Sequence, residues 1–107
     1  AYNPWQPATT KRWMSLRSML LPVIDVVGDR RPLVIGEYGT RSDPHSPGRG
    51  AAWMRSALTF ATNHNVAAMA YFNVTREDGN TSIKLDPERL QEFKNGVADA
   101  RTVKLRR

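Results

Sequence analysis

Residues 31–39 read RPLVIGEYG, an apolar run that ends with an acidic residue, an aromatic residue and a glycine. A run of this kind is typical of a strand that is buried on both faces, as in a parallel sheet flanked by helices. A carboxylate at the end of such a strand is costly to desolvate unless it is hydrogen-bonded or has a chemical role. In α/β sheets and barrels, the carboxyl ends of the strands carry the chemistry. Glu37 is therefore the first candidate for a functional residue.

A second interpretation of Glu37 stays open, because a solvated acid just past a strand is a common and inert feature. Two glycines argue for a functional role. Gly36 removes the side chain directly before the acid, and Gly39 relaxes the backbone directly after it. Together they would let a substrate or another loop approach closely.

The first helix is predicted from apolar residues at spacings of three and four, with Thr9 or Thr10 as its cap. We expect Pro22 to kink this helix or to end it early, and Gly28 to stop it before the strand that starts near Pro32. The predicted apolar stripe of the helix consists of Trp13, Leu16, Leu20, Val23, Ile24 and Val27.

The remaining chain predicts a loop, a helix, a strand and a final helix. Residues 41–50 are rich in proline, glycine and serine, so they predict a loop over the end of the first strand. A second helix is expected to about residue 63, with Trp53 as a packing residue, and a second buried strand at 66–74. Asp86 and Pro87 open the last helix as cap and first residue, with Leu90, Phe93 and Val97 facing inward. Strand, helix, strand, helix is the order of a parallel α/β unit.

These segments, in this order, resemble the end of the (β/α)8-barrel glycoside hydrolases of the superfamily that includes cellulases and β-mannanases. RPLVIGEYG is similar to the seventh barrel strand of that family, AYNPW at residues 1–5 to the end of the sixth, and VAAMAYFNV at residues 66–74 to the eighth. The endings GEYG and YFN look closest to the mannanase-like members. Many relatives carry a tryptophan at the end of the eighth strand, where this chain has Phe72 and Asn73.

The resemblance implies an α/β chain that forms the closing part of a TIM barrel, about the last two βα units plus the preceding helix. Residues 1–100 would form this segment, and residues 101–107 a basic tail. Glu37 would be the catalytic nucleophile, with Tyr2 close to it, and either Tyr2 or Tyr38 would hold it by a hydrogen bond. Trp5 and Tyr38 lie at predicted strand ends, where flat rings can stack on sugars. Asn73 would either point into the sugar site or make a structural hydrogen bond.

Length limits what the chain can do by itself, because a complete barrel needs about 250 residues and this chain has 107. It lacks a counterpart of the family's fourth-strand asparagine–glutamate pair, whereas retaining hydrolysis needs two carboxyl groups roughly 5 Å apart. We therefore expect a fragment of a retaining hydrolase of β-linked polysaccharide, set by processing or truncation, with the rest of the barrel or another copy as partner. The alternative is a non-catalytic interaction or structural module that self-associates through exposed sheet edges.

Composition argues against several other classes of protein. Of the net charge of +6, four charges come from the last seven residues, and the first hundred residues carry twelve basic and ten acidic side chains, so nucleic-acid binding is not expected. No apolar run is long enough to cross a membrane. Cysteine is absent, and His45 and His64 are not spaced as a metal pair. We expect no metal and no cofactor, and the resemblance implies a secreted or extracellular protein.

Overall fold

The computed structural model describes residues 1–6, 11–28, 30–75 and 81–99. Along these residues the chain alternates helices and strands, and the α/β class expected from the sequence is confirmed. The basic tail at 101–107 and the predicted cap residues Thr9 and Thr10 lie outside the described residues. The elements, in chain order, are α1 (Leu16–Val27), β1 (Leu33–Tyr38), α2 (Arg49–Asn63), β2 (Val66–Tyr71), a 3-10 turn (Ile83–Leu85) and α3 (Pro87–Asp99).

The two strands pair in parallel, and β1 carries an irregularity near its end. Ile35 lies opposite Met69, and Tyr38 lies opposite Tyr71. Three residue steps along β1 therefore match two steps along β2, which is the signature of a bulge at Gly36 and Glu37.

A third extended segment, residues 1–3, lies along the other edge of β1. The backbone N–H of Asn3 donates to the Gly39 carbonyl at 2.9 Å, and the Gly39 N–H donates to the Ala1 carbonyl at 3.2 Å. Tyr2 forms a parallel bridge with Gly39. Three parallel segments thus lie side by side in the order in which they occur in the chain, and their carboxyl ends meet at one edge.

The sheet is covered on one face only, so the prediction that β1 is buried on both faces is wrong for the described residues. Ile35 and Tyr38 belong to the core cluster, together with residues of the helices such as Leu16 and Phe60. Val34 points the other way and is 71% exposed. A strand alternates its side chains between two faces, and the helices cover the face that carries Ile35.

The first helix differs from its prediction at its start and at Pro22. It begins at Leu16, where the Ser15 side chain accepts the N–H of Ser18 at 3.1 Å. The helix continues through Pro22 to Val27 and stops at Gly28, as predicted; the φ of Gly28 is 69°. Pro22 removes one hydrogen bond. Apolar residues on both sides of Pro22 pack against the core, namely Leu16, Met19, Leu20 and Ile24, and this packing keeps the helix continuous.

The other two helices complete the core. Trp53 is 3% exposed, so its predicted packing role is confirmed. Asp86 caps α3 as predicted, because its carboxylate accepts the N–H of Arg89 at 3.1 Å. Val97 is 54% exposed, however, so its predicted inward position is wrong, and Arg89 is buried instead with 1% exposure.

Candidate active site

Glu37 lies exposed near the carboxyl end of β1, beside the end of the first extended segment. The hydroxyl of Tyr2 donates a hydrogen bond to Oε2 of Glu37. The ring of Tyr2 also meets the ring of Phe72, with centroids 5.2 Å apart and an interplanar angle of 61°. We name the surface formed by Tyr2, Glu37 and Phe72 the carboxyl edge. It brings one carboxylate, one phenol and one further aromatic ring together from three parallel segments.

The bulge in β1 explains why Glu37 is exposed. With strict alternation, residue 37 would share the buried face of Ile35, and residue 38 would point to the open face. The extra residue at the bulge changes this phase, so Glu37 is exposed while Tyr38 is buried. Bulges are frequent beside active sites because they re-aim a side chain.

The two glycines that flank the acid have different surroundings. A Cβ at Gly36 would meet nothing within 4 Å. At Gly39 it would lie 3.4 Å from Cγ2 of Thr81 and 3.5 Å from Cδ1 of Tyr2. The close approach predicted around Gly39 is therefore made by neighbouring segments of the chain.

Tyr38, a predicted sugar-binding residue, lies in the core of the described chain and is only 1% exposed. Its ring stacks on Trp53 at 6.3 Å and meets Tyr71 edge-on at 5.3 Å. Its hydroxyl points at Sδ of Met54, 3.8 Å away, and not at Glu37. Burial raises the pKa of Tyr38 above its ordinary value, and the neighbouring Tyr71 raises it further. The phenol that holds Glu37 is therefore that of Tyr2.

Trp5, another predicted sugar-binding residue, is half-buried against Trp13. Their ring centroids lie 5.3 Å apart, and the guanidinium of Arg49 lies 4.4 Å above the Trp13 ring. Arg49 also binds Asp43 at 3.0 Å. Desolvation acts to raise the pKa of Asp43, but the His45 N–H and the Arg49 guanidinium outweigh it, so the pKa is lowered. Trp13 precedes α1 and does not belong to its apolar stripe, which corrects the prediction made for it.

Asn73, the last predicted site residue, makes the structural hydrogen bond that the sequence left as one of two possibilities. Its Oδ1 accepts the backbone N–H of Ile83 at 2.9 Å, which ties the end of β2 to the 3-10 turn. The side chain of Asn73 is otherwise exposed. This contact holds Asn73 in the loop that follows β2.

A buried polar network around Arg89 was not predicted from the sequence. Nη1 of Arg89 donates to the Thr40 carbonyl at 2.8 Å, and Nη2 donates to the Ser82 carbonyl at 2.6 Å. Arg89 thereby joins the loops that follow β1 and β2. One signal could have found it: Arg89 and Phe93 are four residues apart and share the inward face of α3.

Neither a candidate metal site nor a membrane-spanning helix is found among the described residues. They hold no cluster of three or more histidine, cysteine, aspartate or glutamate side chains, and none of their helices is long and apolar enough to cross a bilayer. A groove of about 820 Å³ runs between β2, α2 and α3, lined by residues that include Thr62, Met69 and Phe93. Glu37 and Tyr2 do not line this groove.

At the carboxyl edge, the exposed acid Glu37 thus accepts a hydrogen bond from the phenol of Tyr2, which lies in a neighbouring parallel segment. Comparison of the chain with models of protein families and with curated proteins finds no match. The chemistry of the carboxyl edge therefore has to be inferred from its own contacts.

Proposed function

We propose that this chain supplies the nucleophile side of a retaining glycoside hydrolase that acts on β-linked polysaccharide, as the closing part of a (β/α)8 barrel. The observation that carries the proposal is the hydrogen bond from the Tyr2 hydroxyl to the Glu37 carboxylate at the carboxyl edge. A nucleophile needs to be held in one orientation toward the carbon that it attacks. The Tyr2 hydroxyl provides that restraint while Glu37 stays accessible.

In this reaction a Glu37 oxygen attacks the anomeric carbon, and the bond from that carbon to the glycosidic oxygen breaks. A second carboxyl group gives its proton to the departing oxygen, and water then hydrolyses the glycosyl ester. Retaining enzymes place the two carboxyl groups about 5–5.5 Å apart. We assign the second group to the remainder of the barrel, in agreement with the missing counterpart of the fourth-strand glutamate.

The order of the parallel segments supports the barrel. In a (β/α)8 barrel, strands that follow one another in the chain are neighbours in space, and helices cover only the outer face. The chain has the same arrangement, since residues 1–3, β1 and β2 lie side by side in order. The open face that carries Val34 would then line the barrel interior.

The decisive experiment is the replacement of Glu37 in the complete protein that contains this chain. We expect Glu37→Gln to lower turnover of β-linked mannan and glucan oligosaccharides by about 10³-fold or more, because the covalent step is lost. Glu88→Gln is the matched control, since Glu88 is exposed on the first turn of α3, and it should keep normal turnover.

A chemical rescue tests the same assignment of Glu37 as the nucleophile. Its readout is a new product and not only a loss of activity. In Glu37→Ala, azide can occupy the place of the missing carboxylate and attack the anomeric carbon. The expected product is a glycosyl azide whose anomeric configuration is opposite to that of the substrate. Near-normal turnover in Glu37→Gln, or the absence of glycosyl azide from an otherwise folded Glu37→Ala, would contradict the nucleophile assignment.

A second candidate function is favoured by the open face of the sheet. Parallel sheets are normally covered on both faces, whereas Val34 is 71% exposed here. A chain that functions without the rest of a barrel would cover this face by association with another copy of itself. The two candidates differ in what covers Val34: the interior of a barrel in the first, and a second copy of the chain in the other.

A further inference from the structure

We propose that Asn3 is a positioning residue for the pair formed by Tyr2 and Glu37, an inference that rests on the proposed function of Glu37. Asn3 is only 4% exposed, so its amide is costly to bury unless its polar atoms are bonded. Both ends of the amide have partners. Nδ2 donates to Oγ1 of Thr40 at 2.9 Å, and Oδ1 accepts the backbone N–H of Met14 at 2.8 Å and that of Trp5 at 3.4 Å.

These bonds allow only one orientation of the amide. The Thr40 hydroxyl donates its hydrogen to the Arg41 carbonyl at 3.1 Å, so toward Asn3 it can only accept. The atoms that face Oδ1 are backbone N–H groups, which can only donate. Asn3 satisfies both sides at once, which a carboxylate or an alkyl side chain of similar size would not do.

Thr40, whose Oγ1 accepts the Asn3 bond, is also held through its backbone. Thr40 is fully buried, and its carbonyl accepts a hydrogen bond from Nη1 of Arg89 at 2.8 Å. Asn3 is therefore bonded to a buried residue that lies three positions after Glu37 in the chain and is itself hydrogen-bonded to α3.

Docking of Asn3 sets the register of Tyr2. The two residues are adjacent in an extended segment, so their side chains project to opposite sides. A slip of one residue would turn the Tyr2 ring to the other face. With Asn3 bonded to Gly39 through its backbone and to Thr40 through its side chain, Tyr2 lies beside Gly39, where its hydroxyl reaches Glu37.

The first test measures the position of Tyr2 in the 107-residue chain by NMR, independently of catalysis. Tyrosines are labelled with ¹³C at Cζ, and the Tyr2 signal is identified by its loss in Tyr2→Phe. Glu37→Gln should shift this signal, because it changes the acceptor of the hydroxyl. Asn3→Ala should shift it in the same direction, and the matched control Asn95→Ala, an exposed asparagine of α3, should leave it unchanged.

Thr40→Val is the second variant, which matters if Asn3→Ala does not fold. It keeps the shape of the buried side chain and removes the hydroxyl, which is the acceptor of Nδ2 and the donor to the Arg41 carbonyl. The same shift of the Tyr2 signal is expected. If the signal stays at its wild-type position in the folded variants, Asn3 does not position Tyr2 and the inference is overturned.

The second test is a double-mutant cycle in the complete enzyme. Asn3→Ala should lower kcat about tenfold, the loss expected for one hydrogen bond, with KM nearly unchanged. In a Tyr2→Phe background, Asn3→Ala should lower kcat hardly any further, because the hydrogen bond from Tyr2 to Glu37 is already absent. Additive effects would overturn the inference. If Glu37→Gln keeps its turnover, the proposed function fails, while the NMR result still decides whether Asn3 places Tyr2.

Discussion

At position 37, an acidic side chain is turned away from the helices by one extra residue in a strand. The same residue step buries the neighbouring Tyr38 between Trp53 and Tyr71. Two adjacent residues that both look suited to a sugar site in the sequence therefore have different surroundings. Glu37 is accessible for chemistry, and Tyr38 contributes to the stability of the core.

Burial of Tyr38 predicts how stability changes at high pH. The pKa of Tyr38 is raised in the folded chain, first by desolvation and then by Tyr71. The unfolded chain therefore ionises first, near the ordinary value of 10.0. The stabilisation that the un-ionised Tyr38 side chain contributes to the folded chain is complete below that pH and is lost as the pH rises above it. We expect the free energy of unfolding to fall by up to about 1.4 kcal/mol per pH unit for this group.

Tyr38→Phe provides the measurement for this pH effect. Among the described residues, the hydrogen-bond partner of this hydroxyl is Sδ of Met54, 3.8 Å away, so phenylalanine should keep the packing. Urea unfolding between about pH 8 and about pH 11 should give a shallower loss of stability in this variant than in the wild type. Tyr71→Phe should also flatten the curve, because burial raises the pKa of Tyr71 too. Identical slopes in wild type and Tyr38→Phe would contradict the explanation.

Among the elements, α1 shows how a local capping bond fixes a boundary that a pattern of apolar residues leaves uncertain. Trp13 fits the apolar spacing of the helix but lies before it, where its ring contacts Trp5 and Arg49. The helix starts where Ser15 offers an oxygen to the N–H of Ser18. Pro22 remains inside the helix because the packing of its neighbours outweighs one missing hydrogen bond.

Ser15→Ala should lower the free energy of unfolding by about 1 kcal/mol, the usual effect of losing a capping side chain. Ser56→Ala is the matched control, because Ser56 is exposed within α2 and alanine is the better helix former there. Ser15→Asp should keep the stability, since its carboxylate can accept the same N–H. Equal stability of Ser15→Ala and Ser56→Ala in denaturant titrations would show that Ser15 does not cap α1.

For the whole molecule, what covers the open face of the sheet distinguishes a chain that is part of a barrel from a module that associates with other copies of itself. We expect the isolated 107-residue chain to self-associate through the face that carries Val34. Val34→Lys should shift it toward a monomer, because a buried unpaired charge opposes association. Val26→Lys is the matched control, since Val26 is 87% exposed on α1, and it should leave the association unchanged.

Sedimentation equilibrium or light scattering over a range of concentrations measures this association, with circular dichroism as the check of folding. A monomeric wild-type chain, or equal effects of the two lysine variants, would contradict an association through the open face. In the complete barrel the same face would be internal. There, Val34→Lys should destabilise the fold instead of changing the oligomeric state.

Local patterns in the sequence determined the β1 run, the stop of α1 at Gly28 and the start of α3 at Asp86 and Pro87, because each depends on residues close together in the chain. The sequence also singled out Glu37 and Tyr2. Only the tertiary structure decided that the phenol of Tyr2 and not that of Tyr38 meets Glu37, and that Arg89 is buried. These outcomes depend on a bulge and on contacts between residues that are 35 and 49 positions apart. The local pattern of a chain does not specify such pairings, which are selected by packing and by the need to bond buried polar groups.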